Sequence, residues 1–302
     1  MSTSAAFEAT PIATTAGARA LPAWIYNHPE MTRLELERII RPSWQIACHV
    51  SEVAKIGDFV TFELGADSIV VLKDRDQRVR GYHNVCRHRG ARLLDGVGHC
   101  RGTITCPYHG WSYNYDGALI GVPGKEGFPG LDRSEHGLKR VHVEVVLGFV
   151  FVCLGANPPP LKERFAPFMS EFEPYRFEEM VPLVPVSYEN WDVDWKVAMD
   201  NYLESYHVPV GHPGLNRMFT PDYEDQKGAG GIARGTSWLR EQPSSRWSER
   251  YYQALVGPTI NHLPDSHRRC WRFYSMLPNL GIDVYPELMT SSRCCHAAPA
   301  SA

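Results

Sequence analysis

The first half of the chain alternates between short apolar runs and turn residues, a pattern typical of β-strands. These runs fall between about residues 44 and 154 and cover 59–64, 68–72, 79–85 and 143–152. They predict a small antiparallel β-domain with loops gathered at one end. Ahead of it, residues 30–41 carry apolar side chains at helical spacing and stop before Pro42, which predicts a short helix.

The second half has a different texture. Three prolines within residues 156–160 forbid a helix and predict a linker, and a helical stretch follows over 161–172. Residues 195–207 contain neither Gly nor Pro and place Trp195, Met199 and Leu203 on one side, which predicts a second helix. Strands and helices are therefore segregated along the chain, and the predicted fold class is α+β.

Composition narrows the class of protein. The chain has 302 residues, 43% of them apolar, which is enough to bury two cores. A net charge of −3 gives no basic surface for nucleic acid. No apolar run is long enough for a membrane span, and residues 1–20 have the composition of a disordered tail rather than of a signal peptide. We therefore expect a cytoplasmic protein.

Two short motifs carry the first candidate site. They are Cys86-x-His88 and Cys106-x-x-His109, with 17 residues between His88 and Cys106. A Rieske [2Fe–2S] cluster needs this set, because two Cys hold one iron and two His hold the other. Structural zinc is the alternative, although zinc sites usually place Cys pairs before His pairs. A further alternative is that some of the four are ordinary buried residues.

Residues 84–93 and 106–113 resemble the Rieske domain of the large (α) subunit of ring-hydroxylating, non-haem iron oxygenases. Respiratory Rieske proteins carry an additional Cys in each loop, paired as a disulfide. Here the corresponding positions are Ala91 and Ser112 or their neighbours, and they are not Cys. The resemblance therefore implies the lower-potential cluster of the oxygenase type.

A second candidate site lies in the predicted helix 195–207. Asp200, Glu204 and His207 are separated by steps of four and three, which places them on one helix face. Pro209 and Gly211 are expected to break the helix and let His212 fold back toward His207. Two imidazoles so placed supply two corners of a 2-His-1-carboxylate iron site, although such a pair is also common among ordinary polar residues.

The stretch 200–212 also resembles the mononuclear iron motif of the same oxygenase family. The resemblance implies that His207 and His212 bind iron, that Asn201 lies close to it, and that Glu204 bridges the two metal centres. Many members of the family carry Asp at the bridging position. Glu occurs in members that act on quaternary ammonium compounds, which points to N-methyl substrates of that kind.

The pattern changes toward the end of the chain. The family's third iron ligand is an Asp well downstream, yet residues 290–302 are small and polar with adjacent Cys294 and Cys295. We expect a truncated catalytic domain and a disordered end that includes His296. Asp283 is the nearest substitute ligand, although the alternation along 280–285 predicts an ordinary strand residue there.

These observations predict an antiparallel β Rieske domain followed by a truncated helix-grip α+β catalytic domain. The predicted ranges are a tail (1–20), an N-terminal helical segment (21–43), the Rieske domain (44–155), a linker and helix (156–180), the mononuclear-iron domain (181–289) and an irregular tail (290–302).

The resemblance implies a terminal oxygenase, a mono- or dioxygenase acting on an aromatic or quaternary ammonium substrate. Its implied partners are O₂, an NAD(P)H-linked ferredoxin or flavin reductase, and further copies in a homotrimer, with or without a small β subunit. The alternatives are an electron-carrying Rieske protein, a catalytically inactive remnant and a zinc-stabilised binding module.

Overall fold

The computed structural model describes residues 21–184, 186–221, 224–226, 228 and 230–295. The predicted tail 1–20 and His296 lie outside these residues. The strands are β1 Gln45–His49, β2 Asp58–Leu64, β3 Asp67–Lys73, β4 Val79–His83, β5 Val97–His99, β6 Ile104–Thr105, β7 Ser112–Tyr113, β8 Leu119–Gly121, β9 His142–Val146, β10 Phe149–Cys153, β11 Glu224–Gln226, β12 Ile232–Trp238, β13 Cys270–Met276, β14 Leu280–Val284 and β15 Met289–Arg293.

The helices are α1 Pro29–Glu35, α2 Leu161–Phe165, α3 Met169–Phe172, α4 Trp195–Tyr202, α5 Val208–Gly211, α6 Pro213–Met218, α7 Trp247–Thr259 and α8 Asp265–Arg268. A single wider π turn, Leu36–Ile40, extends α1. No helix within the described residues is both long and apolar enough to cross a lipid bilayer.

The first half of the chain forms three small antiparallel sheets, with strand orders β4-β3-β2-β5, β1-β10-β9 and β6-β7-β8. The run 143–152, read from the sequence as one strand, is a hairpin. Leu147 and Gly148 both have positive φ (53° and 76°) and turn the chain between β9 and β10. A turn with two positive φ values matches the twist of its strands, so the hairpin closes in two residues.

The second half forms one five-stranded antiparallel sheet, β11-β12-β13-β14-β15. Residues on one face of β12–β14, including Ile232, Tyr274 and Ile282, pack against the helices between residues 161 and 177. The other face carries residues of the opposite alternation, such as Gly281 and Asp283. Tyr202 at the end of α4 lies against both of them.

The two halves share a hydrophobic core. Trp44, Phe151 and Cys153 from the first half belong to the same buried cluster as Tyr274 and Leu280 from the second. The predicted linker is fixed as well, because the Trp44 indole donates a hydrogen bond to the Pro159 carbonyl at 2.8 Å. The ranges 44–155 and 181–289 stay our proposed domains.

A buried amide pair also joins the halves. The side chains of Gln45 on β1 and Asn279, just before β14, donate to each other at 3.1 and 3.2 Å. Both are almost inaccessible to solvent, at 1% and 0%. Paired amides satisfy each other's donors and acceptors, so this contact fixes the register between the two sheets without leaving an unpaired polar group.

Candidate metal centres

The two Cys/His motifs lie on loops with the same backbone geometry. In the first loop, the Cys86 N–H donates to the Ala91 carbonyl (2.8 Å) and the Gly90 N–H donates to the Cys86 carbonyl (3.0 Å). In the second, the Cys106 N–H donates to Trp111 (2.8 Å) and the Gly110 N–H to Cys106 (3.0 Å). Gly90 and Gly110 have φ values of 76° and 74°, a conformation that favours glycine. The repeated geometry presents one Cys and one His from each side.

The thiols and imidazoles are separated by depth. Cys86 and Cys106 are each 3% exposed, within a core that includes Tyr113 and Trp111. The His88 and His109 rings lie nearer the surface, 4.7 Å apart between centroids and inclined by 73°. Two inner thiols and two outer imidazoles fit a cluster whose buried iron takes sulfur and whose outer iron takes nitrogen.

His88 provides the best test of whether these residues suit a metal cluster. Its Nδ1 atom is buried and has no hydrogen-bond partner within the described residues. An unpaired buried nitrogen is unfavourable, and a metal bond at that atom would satisfy it. Burial, together with the charges of His109 and Arg89, lowers the pKa of His88, which favours the neutral form that binds metals. Trp111 stacks on the ring at 4.8 Å and holds its plane.

Tyr113 is a functional candidate that the motif analysis did not single out. Its hydroxyl lies 3.3 Å from Cys86 Sγ and accepts the Arg87 N–H at 3.0 Å. Because the phenol oxygen is already accepting, its own hydrogen is free to point at the sulfur. Burial, followed by the contact with Cys86, raises the pKa of Tyr113, so the phenol keeps its proton. The Ser-Tyr pair after Trp111 was the available sequence signal.

The second candidate site starts where α4 ends. The predicted helix 195–207 stops at Tyr202, so Asp200, Glu204 and His207 do not share one helix face. The cause is the Glu204 carboxylate, which accepts the His207 backbone N–H (3.1 Å) and the ring Nδ1–H (2.5 Å). A side chain that binds backbone N–H groups competes with the helix. Asp200 instead accepts a hydrogen bond from Tyr26.

His207 and His212 lie at the two ends of the short helix α5. The prediction that Pro209 and Gly211 break a helix is wrong. Both lie inside α5, because Pro is tolerated in the first turn of a helix. The two rings are 5.1 Å apart between centroids and inclined by 70°. Since Glu204 occupies Nδ1 of His207, the Nε2 lone pair of that ring is the one available to a metal.

The remaining candidates of this site are placed differently. Asn201 is exposed on the last turn of α4 and makes no side-chain hydrogen bond to another described residue. Asp283 lies in β14, where it accepts hydrogen bonds from the Tyr202 (2.5 Å) and Thr290 (3.2 Å) hydroxyls, and burial raises its pKa. Across the described ranges, no three His, Cys, Asp or Glu side chains are grouped so as to hold a single metal ion.

Two family models match the chain. Residues 43–135 match the Rieske [2Fe-2S] domain, and residues 177–295 match the catalytic domain of the ring-hydroxylating alpha subunit. The chain belongs to the α-subunit family of Rieske non-haem iron oxygenases. The family confirms the predicted cofactors, a Rieske [2Fe–2S] cluster and a mononuclear iron, and excludes the zinc-stabilised module.

Individual Rieske oxygenases resemble the chain over most of its length. The glycine betaine monooxygenase oxygenase subunit of Pseudomonas aeruginosa is 32% identical over 195 residues, covering 65% of this chain and 45% of the relative. The carnitine monooxygenase oxygenase subunit of Escherichia coli is 33% identical over 197 residues, covering 65% and 53%. The chain thus spans about half the length of these relatives.

Solved structures agree with the predicted fold class. A quaternary ammonium Rieske monooxygenase bound to an inhibitor superposes with a TM-score of 0.76 at 24% identity, covering 90% of this chain and 70% of that one. Naphthalene 1,2-dioxygenase from Rhodococcus sp. gives 0.68 at 26% identity, covering 88% and 65%. The α+β fold with a β-rich Rieske domain and a helix-grip catalytic domain is therefore confirmed.

Proposed function

We propose that this chain is the terminal oxygenase component of a Rieske system and inserts oxygen from O₂ into an organic substrate. The observation that carries the proposal is that one fold contains two groups of side chains of the types that bind metals. One consists of Cys86, Cys106, His109 and His88, whose buried Nδ1 has no hydrogen-bond partner among the residues that the structure describes. The other is the His207/His212 pair, oriented by Glu204.

The chain's own residues have defined tasks in this mechanism. When bound, a Rieske cluster supplies single electrons and a mononuclear iron supplies O₂ activation. The Nδ1–H of His207 donates a hydrogen bond to Glu204, which fixes the tautomer and leaves Nε2 free. Burial by itself raises the pKa of Glu204, but the hydrogen bonds from His207 outweigh it and lower the pKa overall, so Glu204 stays an acceptor at neutral pH.

For the substrate we propose a quaternary ammonium or N-methyl compound in preference to an aromatic hydrocarbon. The relatives that are more than 30% identical to this chain include oxygenase subunits for glycine betaine and carnitine, and Glu rather than Asp stands at position 204. The proposed partners are an NAD(P)H-linked ferredoxin or flavin reductase and further copies of this chain in a homotrimer, with or without a β subunit. Cytoplasmic location stays a prediction.

A second candidate function is an electron-carrying or catalytically inactive Rieske protein. One observation favours it. The carboxylate of Asp283, the nearest substitute for a third iron ligand, is already bonded to Tyr202 and Thr290. Two imidazoles alone would hold Fe(II) weakly, because facial triad sites use a carboxylate as the third protein ligand.

Iron content separates the two functions. We would measure iron per chain on anaerobically purified protein, together with the EPR spectrum of the reduced sample. About three irons with a Rieske signal supports the oxygenase, because two belong to the cluster and one to the mononuclear site. His207→Ala should then remove one iron and keep the signal, whereas His262→Ala, a change at an exposed histidine, should alter neither.

Two irons in the unaltered protein would instead support the electron carrier, and loss of the Rieske signal would overturn both functions. Substrate class is tested separately, by substrate-dependent O₂ uptake with glycine betaine, carnitine and naphthalene in the presence of a reductase. Uptake with naphthalene alone would refute the quaternary ammonium assignment.

A further inference from the structure

A buried group of charges joins the N-terminal segment, residues 23–40, to the start of α4. The Lys196 ammonium lies 2.8 Å from the Glu35 carboxylate and 2.7 Å from the Asp194 carboxylate. The Trp195 indole N–H donates to the same Glu35 oxygen at 2.9 Å. The Glu35 and Asp194 side chains are only 5% and 4% exposed. Glu35 therefore meets the first turn of α4 across 160 residues of sequence.

The same segment touches α4 again near its other end. The Tyr26 hydroxyl donates to Asp200 at 2.9 Å, and the Lys196 ammonium lies 5.5 Å from the Tyr26 ring centroid. The last residue of the helix, Tyr202, is held by the catalytic sheet through Asp283. An eight-residue helix is only about 12 Å long, so contacts at both ends fix its axis and its rotation.

Burying these charges is unfavourable, so stabilisation of the fold alone does not explain why they are buried. Two carboxylates share one ammonium, and each ion loses favourable hydration when it is removed from water. Burial alone lowers the pKa of Lys196, but its hydrogen bonds to Asp194 and Glu35 raise it overall, so the ammonium stays charged. Directional contacts of this kind specify one geometry, whereas apolar contacts would allow the helix to slide.

The position of α4 determines where the iron motif begins. The helix ends at Tyr202, and Glu204 and His207 follow within five residues. Residues 23–40 lie outside both matched family ranges, 43–135 and 177–295, so neither match assigns them a role. We infer that residues 23–40 position the mononuclear iron site, with Glu35 as the positioning residue that sets α4 for His207 and His212. The inference rests on the proposed function of that site.

Cobalt binding tests this inference independently of activity. Co(II) occupies His/carboxylate iron sites and can be counted separately from cluster iron. We would dialyse the purified protein to equilibrium against Co(II) and measure cobalt per chain, with the Rieske EPR signal as an internal reference. Glu35→Gln should weaken cobalt binding about tenfold, the lower end of the effect of residues that orient metal ligands, and leave the Rieske signal unchanged. Glu35→Asp should recover part of the affinity.

The control breaks a partly buried ion pair away from α4. Glu171 pairs with Arg234 and accepts a hydrogen bond from Tyr274, so Glu171→Gln should lower the melting temperature without changing cobalt affinity. Tyr26→Phe removes only the hydrogen bond to Asp200, and it replaces Glu35→Gln in the test if that variant does not fold. It should also weaken cobalt binding, by a smaller factor.

Equal cobalt affinity in the unaltered protein and in the folded Glu35 or Tyr26 variants would overturn the positioning role while leaving the proposed function in place. The same would follow from an equal loss of affinity in the Glu171 control. Absence of cobalt binding in the unaltered protein would overturn the proposed function itself, and this inference with it.

Discussion

Replacing Tyr113 by Phe should lower the reduction potential of the cluster. The Tyr113 hydroxyl lies 3.3 Å from Cys86 Sγ, and the sulfur is a thiolate when it binds iron. The phenol therefore stabilises negative charge on the sulfur, and that charge grows when the cluster takes up an electron. Without the hydroxyl, the reduced state loses more stabilisation than the oxidised state does.

The contact distance sets the size of the effect. Hydrogen bonds to charged groups contribute about 1.5–3 kcal/mol. A hydrogen bond at 3.3 Å to a sulfur acceptor contributes an energy at or below the lower end of this range. Only part of that energy differs between the oxidised and the reduced cluster. A differential of about 1 kcal/mol corresponds to roughly 40 mV for a one-electron couple, because about 1.4 kcal/mol corresponds to 59 mV. We expect a decrease of about that size.

A redox titration followed by EPR measures this shift directly. Tyr115→Phe is the matched control, because Tyr115 is a buried phenol of the same core whose hydroxyl donates to the Cys100 carbonyl at 2.6 Å instead of to a proposed cluster ligand. The reduction potential of the cluster in Tyr115→Phe should stay within about 10 mV of that in the unaltered protein, a change much smaller than the shift expected for Tyr113→Phe. An unchanged or raised potential in Tyr113→Phe would refute the reasoning.

Three further predictions concern stability and metal removal. Burial alone raises the pKa of Asp74, but Arg80 and backbone N–H groups lower it overall. Asp74→Asn should therefore lower the free energy of unfolding, measured in urea at pH 7, by roughly 2 kcal/mol. The difference in stability between the two proteins should shrink below about pH 4, where the carboxylate becomes protonated. Gly148→Ala should lower the melting temperature, since φ is 76° and the new Cβ would lie 2.6 Å from Glu178 Cα; an unchanged melting temperature would contradict this. A chelator should remove the mononuclear iron and leave the Rieske EPR signal; loss of both together would contradict separate sites.

The local pattern of apolar and polar residues was sufficient to predict most of the strands in the first half of the fold. Alternation predicted β2 and β3 nearly to the residue, and the two Cys/His motifs predicted paired loops. The run 143–152 was misread as one strand because Leu147 takes a positive φ, which a non-glycine residue adopts only occasionally. The two motifs themselves indicated the roles of the four cluster ligands, because a Rieske cluster takes two Cys and two His, and these roles stay predictions.

Specific side-chain contacts, two of the three distant in sequence, explain what could not be predicted. Glu204 ends α4 by binding the His207 backbone, and helical spacing alone gives no sign of that competition. Glu35 is a charged residue in the predicted helix 30–41, yet it is 4% exposed and contacts Trp195 and Lys196 of α4. The role of Tyr113 depends on a contact with Cys86 across 27 residues. For Glu35 and Tyr113 the decisive partner lies outside the window that periodicity examines, whereas Glu204 binds a residue only three positions away through a side chain–backbone contact that periodicity does not detect.

The hydrophobic core shared by the two halves fixes the distance between the two candidate metal sites within one chain. A large apolar contact does not permit the rotation expected of loosely docked domains, and the Gln45–Asn279 amide pair opposes sliding. The cluster loops therefore cannot swing toward His207 and His212 on a flexible arm. The distance between the cluster loops and the His207/His212 pair within one chain is therefore set by the fold, and the same value should be found in every folded copy of the chain.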